Sequence, residues 1–540
     1  MKRVLALLLA CLILAGCSTA RKAETEDPTA GQKVATSFAA PEYESRYDSE
    51  TVITLSDAGV ETAADSVFVS HDIIYYEDRE VYDSGNPYGE GDKSDRHGTA
   101  EAAAHTVVNI TAPGAYRVTG NLSAGQIRVD LGEGAYEDPN AVVELILDNA
   151  EITCTVAPAI LFLNVYECDG NWSVETAKAE VDTSAAGANL ILAEGSRNVI
   201  DGSYVARIYK DKEGGKKLWK QDGAIYSYMS MNFFGPGALD LSAENEGLDT
   251  ELHLTINGGE IVIRSGNDGI NTNEDGVSVT TINGGNIHII AGLGEEGDGV
   301  DSNGYLVING GTIIASANPA ADAGLDSDLG SYINGGTVVA LGSAMDWVES
   351  DSAQVTMNLQ FAAFRNAADA IAVTKEDGTE IFSYNPAANT VVGENTRKYM
   401  GAVISCDNFK QGETYEVYVG GAQMMYTGTD VMTRPGGFGG QRPDGGQLPE
   451  LPAGETMPEG WNPGEKGERP ENFGGQMPEG ERPQWPEGKM PTMPEGERPD
   501  GDHGGRGEIG GFGQPAGGGN TRFYMQDMVN FFSGLTEISK

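Results

Sequence analysis

Acidic and amide side chains recur in this sequence at a spacing that would gather oxygen ligands. Asp249, Asn271, Asp301 and Asp326 each follow a glycine and one apolar residue, in Gly247-Leu248-Asp249, Gly269-Ile270-Asn271, Gly299-Val300-Asp301 and Gly324-Leu325-Asp326. Glu246, Asp268 and Asp298 stand three residues ahead, and Asn273, Asn303 and Asp328 two residues beyond. Carboxylates stacked at the spacing of neighbouring strands, about 4.8 Å, raise one another's pKa or recruit a cation. Calcium takes six to eight oxygens, so Asp249, Asp268, Asn271, Asp298, Asp301, Asn303, Asp326 and Asp328 are the candidate metal ligands. Aspartate and asparagine also favour turns with no metal present.

Such a stack needs a repeating scaffold, and the sequence contains one. LTINGGEIVIRSG, TTINGGNIHIIAG, LVINGGTIIASAN and SYINGGTVVALGS are anchored at Asn257, Asn283, Asn309 and Asn334, a period of 26, 26 and 25 residues. After each anchor the apolar residues alternate with period two: Ile261 and Ile263, Ile287 and Ile289, Ile313 and Ala315, Val338 and Ala340. The repeats are therefore strands, and the paired glycines supply corners. Strand, corner, strand and variable loop make one coil of a parallel β-helix, a solenoid that buries its apolar face against its own neighbours.

The surroundings divide by composition. Residues 1–17 read as a lipoprotein signal with Cys17 as the lipidated residue, followed by a polar tether over 18–50. The solenoid is expected over 51–345, with irregular early coils and a tyrosine-rich insertion at 73–104. A small β cap over 346–428 contains the hairpin IAVTKEDGTEIFSY, with its turn at Asp377-Gly378. Residues 429–519 form a tail rich in glycine, proline and acid, of the composition of disordered chain, and 520–540 a possible amphipathic helix. Beyond Cys11 and Cys17, three cysteines remain; Cys154 and Cys168 are the nearest pair, and a bridge or free thiols are equally open.

The ordered succession of GAYRVTGNL, VELILDNAEI, PAILFLN, DGAIYS and the TINGG repeats over roughly 105–425 resembles the bacterial cell-surface carbohydrate-binding β-helix family, similar in fold to the family nine pectate lyases. The resemblance implies an all-β, right-handed parallel β-helix, calcium at the coil turns, and affinity for plant cell-wall polysaccharide such as cellulose or pectin.

Charge and residue usage narrow the function. A net charge of -46 repels phosphate backbones, so nucleic acid is excluded as a partner. A pectate lyase needs a basic residue beside calcium, and no lysine occurs between Lys220 and Lys375, while Arg264 is the one arginine in the four clear coils. The six histidines form no metalloprotease motif. The expectation is a binding protein, not an enzyme, acting as a monomer and meeting the membrane only through its lipid. A lyase or hydrolase, or a structural adhesin, is the alternative. Trp347, Tyr305 and Tyr332 are the candidate sugar-stacking residues, with Trp219 and Tyr226 behind them. Outward positions Val262, His288, Ile314, Val339, Arg264, Ile290, Ser316 and Leu341 are too apolar to be wet, and the segment Phe523 to Leu535 is expected to cover them.

Overall fold

The computed structural model describes residues 39–76, 97–170, 173–206, 208–209, 216–217, 220–346, 348–429 and 519–538. The signal and Cys17, residues 18–38 of the tether, residues 77–96 of the insertion, Trp219, Trp347 and residues 430–518 of the tail lie outside the described residues. No described helix is long and apolar enough to cross a membrane.

The chain is all-β, and its repeats stack as expected. Each full coil contributes to three walls. The first wall contains Met231–Phe234, Leu254–Ile256, Val279–Ile282, Tyr305–Ile308 and Gly330–Ile333, paired in parallel. The second contains Ala238–Ala243, Glu260–Ser265, Asn286–Ile290, Thr312–Ser316 and Thr337–Gly342, again parallel. The third is a seven-stranded sheet running from Val67–Ser70 to Ile270–Thr272, extended by a bridge from Ile270 to Val300. Alternation sends Ile256, Ile282, Ile308 and Ile333 inward with Ile261, Ile287 and Ile313, all fully buried in one continuous core.

The asparagine-glycine-glycine corner works through its second glycine. Gly259, Gly285, Gly311 and Gly336 have φ of 111°, 96°, 86° and 85°, a region costly for any residue with a Cβ. The asparagine ahead of each pair stacks on the next coil. Asn283 Nδ2 donates to Asn257 Oδ1 at 2.8 Å, Asn309 to Asn283 at 2.9 Å and Asn334 to Asn309 at 3.0 Å. The Ala353 N–H closes the column on Asn334 Oδ1.

Three expectations are corrected. The tether is not free up to residue 50, because Tyr43 and Ser45 donate to the buried Glu144 carboxylate and Tyr47 to the Val142 carbonyl. Tyr43 and Tyr47 also cover Ala115, Ile146 and Ile191, and Glu50–Leu55 is already a strand of the first wall. The carboxyl end is not a helix but two strands, Phe523–Tyr524 and Val529–Glu537. The second pairs in parallel with Thr356–Arg365, with a register break, and Gly534 sits there at φ 64°. That irregularity spaces Phe532 and Leu535 three apart, which imitates a helical period. A sheet edge satisfies backbone groups that a short isolated helix would hold only marginally. Finally, the cover over the apolar outward positions includes the expected Phe523 to Leu535 segment but extends to the rest of the cap. Val339 and Leu341 share a core with Met357, Phe361, Tyr399, Phe523, Phe532 and Leu535. The loop before Tyr399 reaches further back: Arg264 donates to the Val392 carbonyl and Asn389 meets His288. The hairpin forms as read, Ile371–Thr374 antiparallel to Glu380–Tyr384. Cys154, Cys168 and Cys406 are all free thiols.

Candidate metal centre

The acid-glycine pairs of the third wall are held by close backbone approach. A Cβ on Gly247 would stand 2.4 Å from the Gly269 carbonyl oxygen, and one on Gly269 2.5 Å from that of Gly299. Glycine is needed here for proximity, since the Gly247 and Gly269 amides donate to the carbonyls of Asp268 and Asp298 in the next coil. Leu248 and Ile270 point into the core, so Asp249 and Asn271, paired in register, point outward from it.

Three carboxylates meet at this place. Oxygens of Asp222, Glu246 and Asp249 all lie within 4.8 Å of one another, and all three side chains are buried, Asp249 completely. Asn271 Nδ2 donates to Glu246 Oε2 at 3.3 Å and Asn273 Nδ2 to Asp249 Oδ1 at 2.7 Å. Asp249 Oδ2 and Asn271 Oδ1 are buried with no hydrogen-bond partner. At the rim, Lys220 Nζ is 2.5 Å from Asp222 Oδ2, with its side chain 52% exposed.

Electrostatics follow from acceptors crowded without enough donors. Burial, then the Asp222 charge, pushes the Glu246 carboxyl up to about 8. Burial, then Glu246 and Asp222, pushes Asp249 well above the usual carboxylate range. Along the same wall, burial and then the Asp326 charge raise Asp298 to about 9 and Asp301 to about 7. Asp268 is raised by burial and by Glu246, Asp301 and Asp298, although its Oδ1 accepts the Asp298 N–H at 2.6 Å. Orphaned buried oxygens beside three hard carboxylate donors fit a metal ion, which would complete the pairing the protein leaves undone.

The expected ligand set is thus brought together in part. Asp249 is in the triad and Asn271 is bonded to it, whereas Asp268, Asp298, Asp301, Asp326 and Asp328 continue the field along the wall. Among the described residues no other group of three or more His, Cys, Asp or Glu comes together in this way. Asn303 is turned to the neighbouring turn, donating to the Asn273 carbonyl and to Asp275. Asp222 and Lys220 were not among the sequence candidates. An acid-glycine pair, Asp222-Gly223, does stand one coil earlier, but the register sets Gly223 opposite Glu246 and Tyr226 opposite Asp249, one residue out of step with the repeat, which hides the motif.

Tyr226 is no sugar platform: it is fully buried and its hydroxyl donates to Glu251. Tyr305 and Tyr332 are partly exposed neighbours on the first wall, with ring centroids 6.2 Å apart and planes at 50°.

No curated protein matches the sequence. Among solved structures the chain is similar to a polysaccharide lyase-like protein from C. thermocellum, determined as a gadolinium derivative. The identity is 23% over 53% of this chain and 93% of that one, with a TM-score of 0.33. Residues 104–374, about half of the chain, match the family model described as carbohydrate-binding domain-containing protein, and the chain belongs to that family.

Proposed function

We propose that this is a lipid-anchored, exported protein whose right-handed solenoid is stabilised by calcium in the third wall and binds plant cell-wall polysaccharide, cellulose or pectin, without cleaving it. The observation that carries this reading is the burial of the acid triad. A cation bound by Asp222, Glu246 and Asp249 sits inside the wall, between coils, where a polymer has no access to it. Such an ion stabilises the fold and leaves binding to the surface.

One observation favours a lyase instead, namely Lys220 beside Asp222. A lyase base must be neutral to take a proton from the sugar. With the triad free of metal the Asp222 charge raises the Lys220 pKa and holds its ammonium protonated, whereas a cation on Asp222 would offset that charge, so the choice between the two readings falls to the assay. A polysaccharide pull-down with and without calcium, assayed in the same mixture for unsaturated sugar products, separates the two. Retention without product is expected. Product release that disappears in Lys220→Ala would establish the lyase.

A further inference from the structure

The polysaccharide reading leaves open where the glycan lies and what charge it bears, and the first wall answers both. In the strands Val279–Ile282, Tyr305–Ile308 and Gly330–Ile333, inward positions are taken by Thr280, Ile282, Leu306, Ile308, Ser331 and Ile333. The outward rows, continued into the corner, read Val279-Thr281-Asn283, Tyr305-Val307-Asn309 and Gly330-Tyr332-Asn334. Val279, Asn283, Val307 and Gly330 are buried, and the five positions that reach the surface in part, Thr281, Tyr305, Asn309, Tyr332 and Asn334, carry no charge, in a chain whose net charge is -46.

Earlier coils of this wall are already covered. Thr183 bonds Asn232 and Thr255, Glu167 bonds Ser230, and the Tyr43 ring lies 5.5 Å from that of Phe234. Ala40 lies against the corner at Gly284, and among the described residues the part-exposed positions begin at Thr281. The two tyrosines sit diagonally on adjacent coils; Asn309 uses one N–H and one lone pair within the column, and Asn334 one N–H there and one lone pair on the Ala353 N–H, leaving the others for a ligand. At the border, the Glu349 carboxylate stands over Gly330 and would repel a polyanion.

We propose that the glycan is a neutral polysaccharide lying on this patch, its rings against Tyr305 and Tyr332 and its hydroxyls on Asn309 and Asn334, on a different wall from the acid triad. This rests on the polysaccharide-binding reading above. Flat aromatic faces bury sugar C–H surface while amides pair the hydroxyls, a combination with no use for charge.

The test is retardation of the full-length protein in native gels cast with hydroxyethylcellulose or with polygalacturonate, calcium present throughout. Wild type and Tyr305→Phe/Tyr332→Phe are expected to be held by hydroxyethylcellulose, and Tyr305→Ala/Tyr332→Ala at least tenfold more weakly. Thr281→Glu removes no core packing and adds one charge to the patch, so it too should weaken binding. If neither polymer retards wild type, the polysaccharide-binding reading itself fails. If wild type is retarded but the alanine and glutamate variants bind equally, or polygalacturonate is held more tightly, only the neutral patch is overturned.

Discussion

Two polar columns climb this solenoid, and they differ in one respect of elementary chemistry. The first-wall column is made of amides, each with both a donor and an acceptor. Asn257, Asn283, Asn309 and Asn334 therefore bond one another at 2.8 to 3.0 Å, with the Ala353 N–H closing the end, and need no ion. The third-wall column is made mostly of carboxylates, which when ionised only accept. Asn271 and Asn273 supply amide donors, yet Asp249 Oδ2 stays orphaned and Glu246, Asp298 and Asp301 are pushed upward in pKa. Identical stacking geometry thus gives a self-sufficient ladder on one wall and an unmet demand for positive charge on the other.

The largest expected consequence is in pH. In chelated protein, the folded state holds protons on Glu246 (about 8) and Asp298 (about 9) that the unfolded chain has released near its ordinary carboxylate pKa. The unfolded state then binds fewer protons, so stability is full at low pH and is lost as pH rises toward and through those folded values. Between the ordinary and the folded value each such group weakens the fold by up to roughly 1.4 kcal/mol per pH unit, so a steep fall in stability is expected across this range. Urea unfolding in chelator from pH 5 to pH 9 measures it, and a flat profile would remove the contrast between the columns.

Converting one column into the other is the next test. Asn283→Asp takes away the donor to Asn257 Oδ1 and puts a carboxylate among amides, which should cost about 2–4 kcal/mol in urea unfolding. A cost below about 1 kcal/mol would mean the amide ladder contributes little. The reverse exchange, Asp249→Asn, replaces an acid that burial beside Glu246 keeps protonated with a neutral amide that carries a donor at every pH. It should stabilise chelated protein by about 1 kcal/mol while reducing the gain from added calcium.

How much of this was legible in the sequence depends on where side chains meet their own repeat. The walls, the corner glycines and the amide column all follow from a period short enough to read, because Asn257 meets a copy of itself in Asn283. The triad was half legible. Asp249 falls on the repeat, but Asp222 lies in a coil where Tyr226 takes the ladder position, so the register of the pairing was needed to bring it in. Contacts between distant segments left no periodic trace at all. The docking of Tyr43 and Ser45 on Glu144 joins residues about a hundred positions apart through short polar side chains. The strand Val529–Glu537 joins an edge far upstream, and its register break mimics a helix.

The central claim is that the third-wall acids hold a cation that the first-wall amides have no need of. Thermal unfolding of chelated protein at pH 7, repeated with millimolar calcium, tests it most directly. A ligand held only by the native state stabilises by about 2.7 kcal/mol at a hundredfold excess over its Kd, so the account predicts a clear upward shift of the midpoint, smaller in Asp249→Asn. An unchanged midpoint in the wild-type protein would contradict it.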